Sequence, residues 1–382
     1  MKRNNAVSIL TSVETNASVQ HLSINPPVVR ASTVPFSSVE DWLQKDESMF
    51  ESFSYGRLGT PTTSAFKDIM TKLEGGYASV LASSGLSIIT LVFMAFSKPN
   101  TKVLIPNNTY GGVSRFCSKV LSDLNIEIST YDPLNIEQIR NMVNENISLI
   151  YVENPGSSNS IISDLPEIVK IATSKHIPIV VDNTWATPLF YQPLAHGADV
   201  SIHSATKYLS GHSDCTLGVA VCSQRAYQRV QEMSFYFGLS ASPDDTYLAM
   251  RGLRTLHVRL KAIEKSALKV ASWLNSHRQI ESVSYPALLS DVSHKLWKRD
   301  FNGATGCFSF KLDTYCKNKN IKFIDNLNMF VLGHSWGGFE SSIMPINTEK
   351  FPDFSNIRVS IGLENAECLI DDLSNSLKII CE

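Results

Sequence analysis

The chain has 382 residues, 43% of them hydrophobic, with 34 basic and 36 acidic side chains and a net charge of −2. A single core usually stops growing at roughly 250 to 300 residues, so two domains are expected, and the balanced charge gives neither a nucleic-acid footprint nor a polybasic membrane patch. Seven cysteines, an odd number with no Cys-x-x-Cys pair, argue against a disulfide framework or a zinc site and fit reduced thiols in a cytoplasm.

Met1 to Asn5 leads into mixed polar sequence without an unbroken apolar run, so no secretory signal is expected. Residues 1–55 lack sustained periodicity, contain Pro26-Pro27 and Pro35, and read as an extended arm able to reach a partner subunit. An α/β domain is expected over residues 56–240. Thr60 caps and Pro61 opens a helix that stops at Gly75-Gly76. Strand-like runs at 79–82, 103–105, 126–131, 148–152, 179–181 and 199–203 alternate with helical stretches. That alternation predicts a doubly wound, mostly parallel sheet. Leu86 to Phe96 is apolar over eleven residues, short of the ~20 that span a bilayer, and reads as a buried helix. Over residues 241–382, a long helix near 246–275 and strand-like stretches at 306–312, 330–334 and 356–361 predict a smaller α+β domain.

Two residues stand out at the ends of adjacent predicted strands. Ile179-Val180-Val181 reads as a buried parallel strand entered by Pro178 and ended by Asp182. Ala198 to His203 reads as the next strand, and Lys207 follows it, 25 residues after Asp182. Taken singly, a lysine is usually a surface residue and an aspartate after a strand a helix cap. Open α/β sheets, however, bind ligands beyond the carboxyl ends of their strands. There a lysine can form a Schiff base with pyridoxal 5'-phosphate, and a carboxylate can pair with the protonated ring nitrogen. Ser83-Ser84-Gly85-Leu86-Ser87 turns a strand into the apolar helix, so the amides of Gly85 and Leu86 can receive a phosphate. Ser204 and Thr206 add hydroxyl donors on the lysine segment. His203 reads as a packing or capping residue, and Asn154 and His212 fit a turn asparagine and a capped or core histidine as well as a site role.

Seven ordered motifs carry a resemblance: Tyr55-Gly56-Arg57, Leu73-Glu74-Gly75-Gly76, Ser84-Gly85-Leu86, Asp182-Asn183-Thr184-Trp185, Ser204 to His212, Arg251 to Leu256, and Ser335-Trp336-Gly337-Gly338-Phe339-Glu340-Ser341. From about residue 25 onward the chain resembles the trans-sulfuration enzymes of cysteine and methionine metabolism. Trp297 to Phe301, Trp336 and Pro155-Gly156-Ser157 make it most similar to the bacterial cystathionine β-lyases within that family. The resemblance implies an aspartate aminotransferase-like fold of type I and a cytoplasmic homotetramer built as a dimer of dimers with shared active sites.

By that resemblance Lys207 is the Schiff-base lysine, Asp182 the pyridinium partner and Tyr110 the ring that stacks on the cofactor and assists catalysis. Ser204, Thr206, Gly85 and Leu86 bind the phosphate, and Tyr55 and Arg57 reach it from a neighbouring subunit, with Tyr55 also at the substrate. Arg358 grips the substrate α-carboxylate with a bidentate fork that lysine cannot reproduce. Ser335 lies beside that carboxylate, and Trp336 and His334 bound the substrate pocket. His334 departs from the tyrosine of the bacterial β-lyases and from the glutamate of many γ-enzymes. The implied reaction is β-elimination of L-cystathionine to homocysteine, pyruvate and ammonia. A cystathionine γ-synthase or γ-lyase type of enzyme, a lyase for another cysteine conjugate, and a non-enzymatic PLP-binding regulator are the alternatives.

Overall fold

A computed structural model describes residues 3–11, 24–44, 53–313, 319–346 and 356–381. Thr60 caps the helix Pro61–Glu74 reciprocally with Thr63, and Gly75, at φ +70°, ends it in the left-handed region as the sequence predicts. Seven strands follow: β1 (Ala78–Ala82), β2 (Lys102–Pro106), β3 (Glu127–Tyr131), β4 (Ile147–Glu153), β5 (Ile179–Asp182), β6 (Val200–Ser204) and β7 (Gly218–Cys222). They form one sheet in the order β1-β7-β6-β5-β4-β2-β3. Only β7 runs against the others, paired antiparallel to β1 and β6.

Alternate residues of these strands enter different cores. Ile150 and Val152 of β4, with Val219 and Val221 of β7, face one cluster. Leu149, Tyr151, Ala220 and Cys222 face the other, against the apolar helix Gly85–Phe96. Each fully buried Val, Leu or Ile contributes about 1.5–3 kcal/mol relative to exposure. A one-residue register slip would exchange the two faces, so burial on both sides fixes the register.

The helix Pro243–Ser276 begins at the Ser242 cap and buries Leu253, Leu256, Leu260, Ile263 and Val270. Beyond it lie β8 (Ile280–Ser284), β9 (Cys307–Leu312), β10 (Val331–Leu332), β11 (Ser342–Ile346) and β12 (Asn356–Ser360). These strands form a second, mainly antiparallel sheet in the order β10-β11-β12-β9-β8. The architecture is the expected α/β fold.

Local differences have physical reasons. Part of the stretch 1–55, expected to be extended, is helical at Arg3–Thr11 and Val39–Leu43. Ala6 and Leu10, four residues apart, bury one face of the first helix, and Arg254 donates to the Leu10 carbonyl at 2.8 Å. The stretch 330–334 pairs only at Val331–Leu332. No helix among the described residues is long and apolar enough to cross a membrane.

Candidate active site

The parallel strands deliver their carboxyl ends to one edge of the sheet, where a cavity of about 260 Å³ opens. Gly85 and Leu86 follow β1, Tyr110 follows β2, Glu153 and Asp182 end β4 and β5, and Ser204, Thr206 and Lys207 follow from β6; all line this cavity. His334, Trp336 and Arg358 approach it from the second sheet and its loops.

Asp182 is buried, its Oδ1 accepting the Thr184 backbone N–H at 2.9 Å and its Oδ2 the Tyr151 hydroxyl at 3.3 Å. Burial raises its pKa, against the hydrogen bonds from Thr184 and the charge of nearby His203. A protonated ring nitrogen would add the positive charge that favours the carboxylate. His203 packs as expected: its ring, fully buried, hydrogen-bonds to Glu74 at 2.5 Å. Asn154 spends its side chain on the backbone of Ser163, and His212 hydrogen-bonds to the Ser210 carbonyl.

Lys207 donates to the Ser335 hydroxyl at 2.8 Å, and its Nζ lies 5.5 Å from the centre of the Trp336 ring. Buried Arg259 holds the lysine segment in place by donating to the carbonyls of Tyr208 at 2.8 Å and Gly252 at 2.7 Å. Arg358, on β12, donates to the His334 carbonyl at 3.1 Å. Burial first, then the charge of Arg358, pushes Lys207 down to about 8.

A lysine lowered from 10.5 to about 8 holds roughly 300-fold more free base at pH 7 than an ordinary one. Because only the free base attacks an aldehyde, the rate at which cofactor-free protein takes up pyridoxal 5'-phosphate should rise with pH and level off above about 8. Arg358→Met should move that midpoint upward. A stopped-flow pH profile checks both, and a rate still climbing toward pH 10 would contradict the lowered lysine.

A candidate anion cradle depends on a missing side chain. A Cβ on Gly85 would lie 2.6 Å from Ser204 Cβ and Oγ, so only glycine lets the amino end of Gly85–Phe96 rest against Ser204. That end, with the hydroxyls of Ser204 and Thr206, forms an anion cradle in the same cavity as the amine and the carboxylate. The donor set fits pyridoxal 5'-phosphate: Lys207 for the aldehyde, Asp182 for the ring nitrogen and the helix end for the phosphate.

Tyr55 and Arg57 stand apart from this cavity. Tyr55 is 44% exposed, while Arg57 lies over the Phe235 ring at 5.0 Å and donates to its carbonyl at 3.3 Å. Glu153, unremarked in the sequence, lines the cavity with a buried carboxyl group. The only sequence signal for it was an acid ending an otherwise apolar strand, the same signal that marked Asp182.

Fold and site together define a PLP-dependent enzyme of the aspartate aminotransferase-like type. Residues 8–378 match the model of the Cys/Met metabolism PLP-dependent enzymes, and the chain belongs to that family. It is 39% identical over 367 residues to a cystathionine β-lyase of Escherichia coli, covering 92% of each chain. It is 37% identical over 374 residues to an L-alanine/L-glutamate racemase of Wolbachia pipientis, covering 93% of this chain and 92% of the other. A solved structure of cystathionine γ-synthase from Xanthomonas oryzae, in complex with aminoacrylate and cysteine, superposes with a TM-score of 0.90 at 28% identity, covering 98% of each chain.

Proposed function

We propose that this enzyme is a carbon–sulfur lyase that cleaves L-cystathionine by β-elimination. The observation that carries the reading is the placement of Trp336, one of the residues that set the β-lyase pattern apart from the γ-enzymes, with the centre of its ring 5.5 Å from the Lys207 amine. The likeness to the Escherichia coli β-lyase supports it.

When bound, pyridoxal 5'-phosphate supplies the electron sink that lets a proton leave the substrate Cα. Arg358 holds the α-carboxylate through its fork, and Ser335 steadies the Lys207 amine between that carboxylate and Cα. The amine takes the Cα proton, with Tyr110 lining the same cavity. The Cβ–S bond then breaks, the sulfur leaves as homocysteine with a proton, and the released enamine adds water to give pyruvate and ammonia. Asp182 would hold the ring nitrogen and supply a negative charge beside it.

Tyr55 and Arg57 act in a neighbouring subunit, a reading supported by their absence from the lining of their own chain's cavity and by the exposure of Tyr55. The assembly in this reading is a homotetramer of two such dimers in the cytoplasm, serving methionine metabolism.

Turnover of L-cystathionine by the purified holoenzyme, with identification of the keto acid, tests the function. Pyruvate is expected, whereas 2-oxobutanoate would move the reading to a γ-enzyme, and alanine racemisation without keto acid to the chemistry named for the Wolbachia relative. His334→Tyr should leave cofactor absorption unchanged and shift the kcat/KM ratio of cystathionine to smaller cysteine conjugates severalfold, because His334 lines the cavity outside the cofactor donors. Equal effects on all substrates would make His334 structural.

A further inference from the structure

The cavity wall carries a carboxyl group that the proposed chemistry leaves unused. Glu153 lies beside Asp182 in the register of β4 and β5 and is 5% exposed. Its Oε2 accepts the Tyr110 backbone N–H at 2.7 Å and the Thr109 hydroxyl at 2.9 Å. Its Oε1 accepts the Ser157 backbone N–H at 2.7 Å and also the Ser157 hydroxyl. An ionised carboxylate is acceptor-only, with about four lone-pair sites, and here each oxygen meets two donors from one loop.

The two loops come from different strands. One follows β2 and carries Tyr110; the other follows β4 and carries Pro155, Gly156 and Ser157 on the cavity wall. Asn108 makes an outer stitch between them, donating to Asn159 at 2.8 Å and accepting from Ser158 at 3.3 Å. Glu153 makes the inner one. The Tyr110 ring is 44% exposed, and among the described residues no hydrogen bond holds its hydroxyl. Its direction therefore depends on how its backbone is fixed.

We propose that Glu153 is a positioning residue: through the Tyr110 N–H it sets that ring against the cofactor, and through Ser157 it ties the opposite wall to the same anchor. The proposal rests on the reading of Tyr110 as the stacking ring. Each carboxyl oxygen faces one backbone N–H, which can only donate, so a proton on either oxygen would weaken the clamp there even if the neighbouring hydroxyl turned to accept it. Burial, then the charge of Asp182, pushes Glu153 up to about 7, against the hydrogen bonds from Ser157, Tyr110 and Thr109. The clamp therefore loosens as pH falls through the raised pKa of Glu153. The other charged or titratable groups around it are Tyr151, hydrogen-bonded to Asp182, and Lys207, Arg358, Cys307 and His334 on the shared cavity, with Tyr131 feeling the charge of Glu153 from β3. A protonated ring nitrogen at Asp182 would offset the charge that raises Glu153, so bound cofactor extends the closed range toward lower pH.

Glu153→Gln separates the two halves, because its amide NH2 end must face a backbone N–H, of Tyr110 or of Ser157, that can only donate. In the holoenzyme, hydrogen exchange should speed up by roughly tenfold in the segment 107–112, the segment 155–160 or both, with the helix Pro243–Ser276 unchanged. The kcat/KM should fall on the order of 10- to 100-fold, since small misplacements of a positioning group have effects of that size. In a Tyr110→Ala background the same substitution should add less than about threefold, because its target is already gone. If Glu153→Gln does not fold, Thr109→Val, which removes one donor, carries the exchange measurement with the same expectation for 107–112. Unchanged exchange in both segments, or an undiminished cost in Tyr110→Ala, would overturn the proposal. The exchange measurement needs no substrate, so its failure is distinguishable from a wrong choice of thioether.

Discussion

Lys207→Ala is expected to lower turnover by at least about 10⁴-fold, because under the proposed mechanism one substitution removes both the covalent anchor of the cofactor and the base for the Cα proton. The folded protein should survive the change. Its neighbours Ala205 and Tyr208 are fully buried, and the segment is held from behind by Arg259 through the carbonyls of Tyr208 and Leu209, none of which involves the lysine side chain. Small primary amines added to the solution should restore part of the rate by occupying the space of the missing amine. Steady-state assays with and without methylamine check this, and a variant retaining a per cent or more of wild-type turnover unaided would contradict the role of Lys207.

Asp182→Asn is expected to cost on the order of 10²- to 10³-fold in kcat, the usual size of a lost preorganised electrostatic contact. Asparagine can still accept from the Thr184 N–H through its carbonyl oxygen, so the local turn remains. What disappears is the negative charge that the proposed mechanism sets opposite the ring nitrogen. Bound cofactor should therefore be retained in part while proton removal from Cα slows, seen as a large primary isotope effect with Cα-deuterated substrate. Near-normal kcat would remove Asp182 from the electron sink.

The strands that end in chemistry were legible because their runs are β-branched, short and bounded by polar residues, as at Ile179–Asp182. The helix after Thr60 was legible to within a residue because its cap, its first-position proline and its terminal glycine all obey local rules. By contrast β7, the antiparallel strand that fills the space between β1 and β6, was not foreseen. Its apolar stretch Gly218–Cys222 resembles any buried run, and nothing local says which distant strands it will join. Glu153 and the Arg358 effect on Lys207 share that difficulty. An acid at a strand end and an arginine 151 positions away from the lysine acquire meaning only when the sheets bring them to one cavity. Tyr55 and Arg57 differ again, since the resemblance assigns them to a surface that a single chain does not complete.

The claim on which all of this depends is that Lys207 holds the cofactor. Reduction of the cofactor-loaded protein with borohydride, followed by proteolysis and mass mapping, tests it without reference to substrate. The yellow absorption should be lost and the pyridoxyl group should be found on the peptide containing Ser204-Ala205-Thr206-Lys207-Tyr208. A pyridoxyl group on another lysine, such as Lys67 beside the separate pocket near Arg57, or on none, would contradict it.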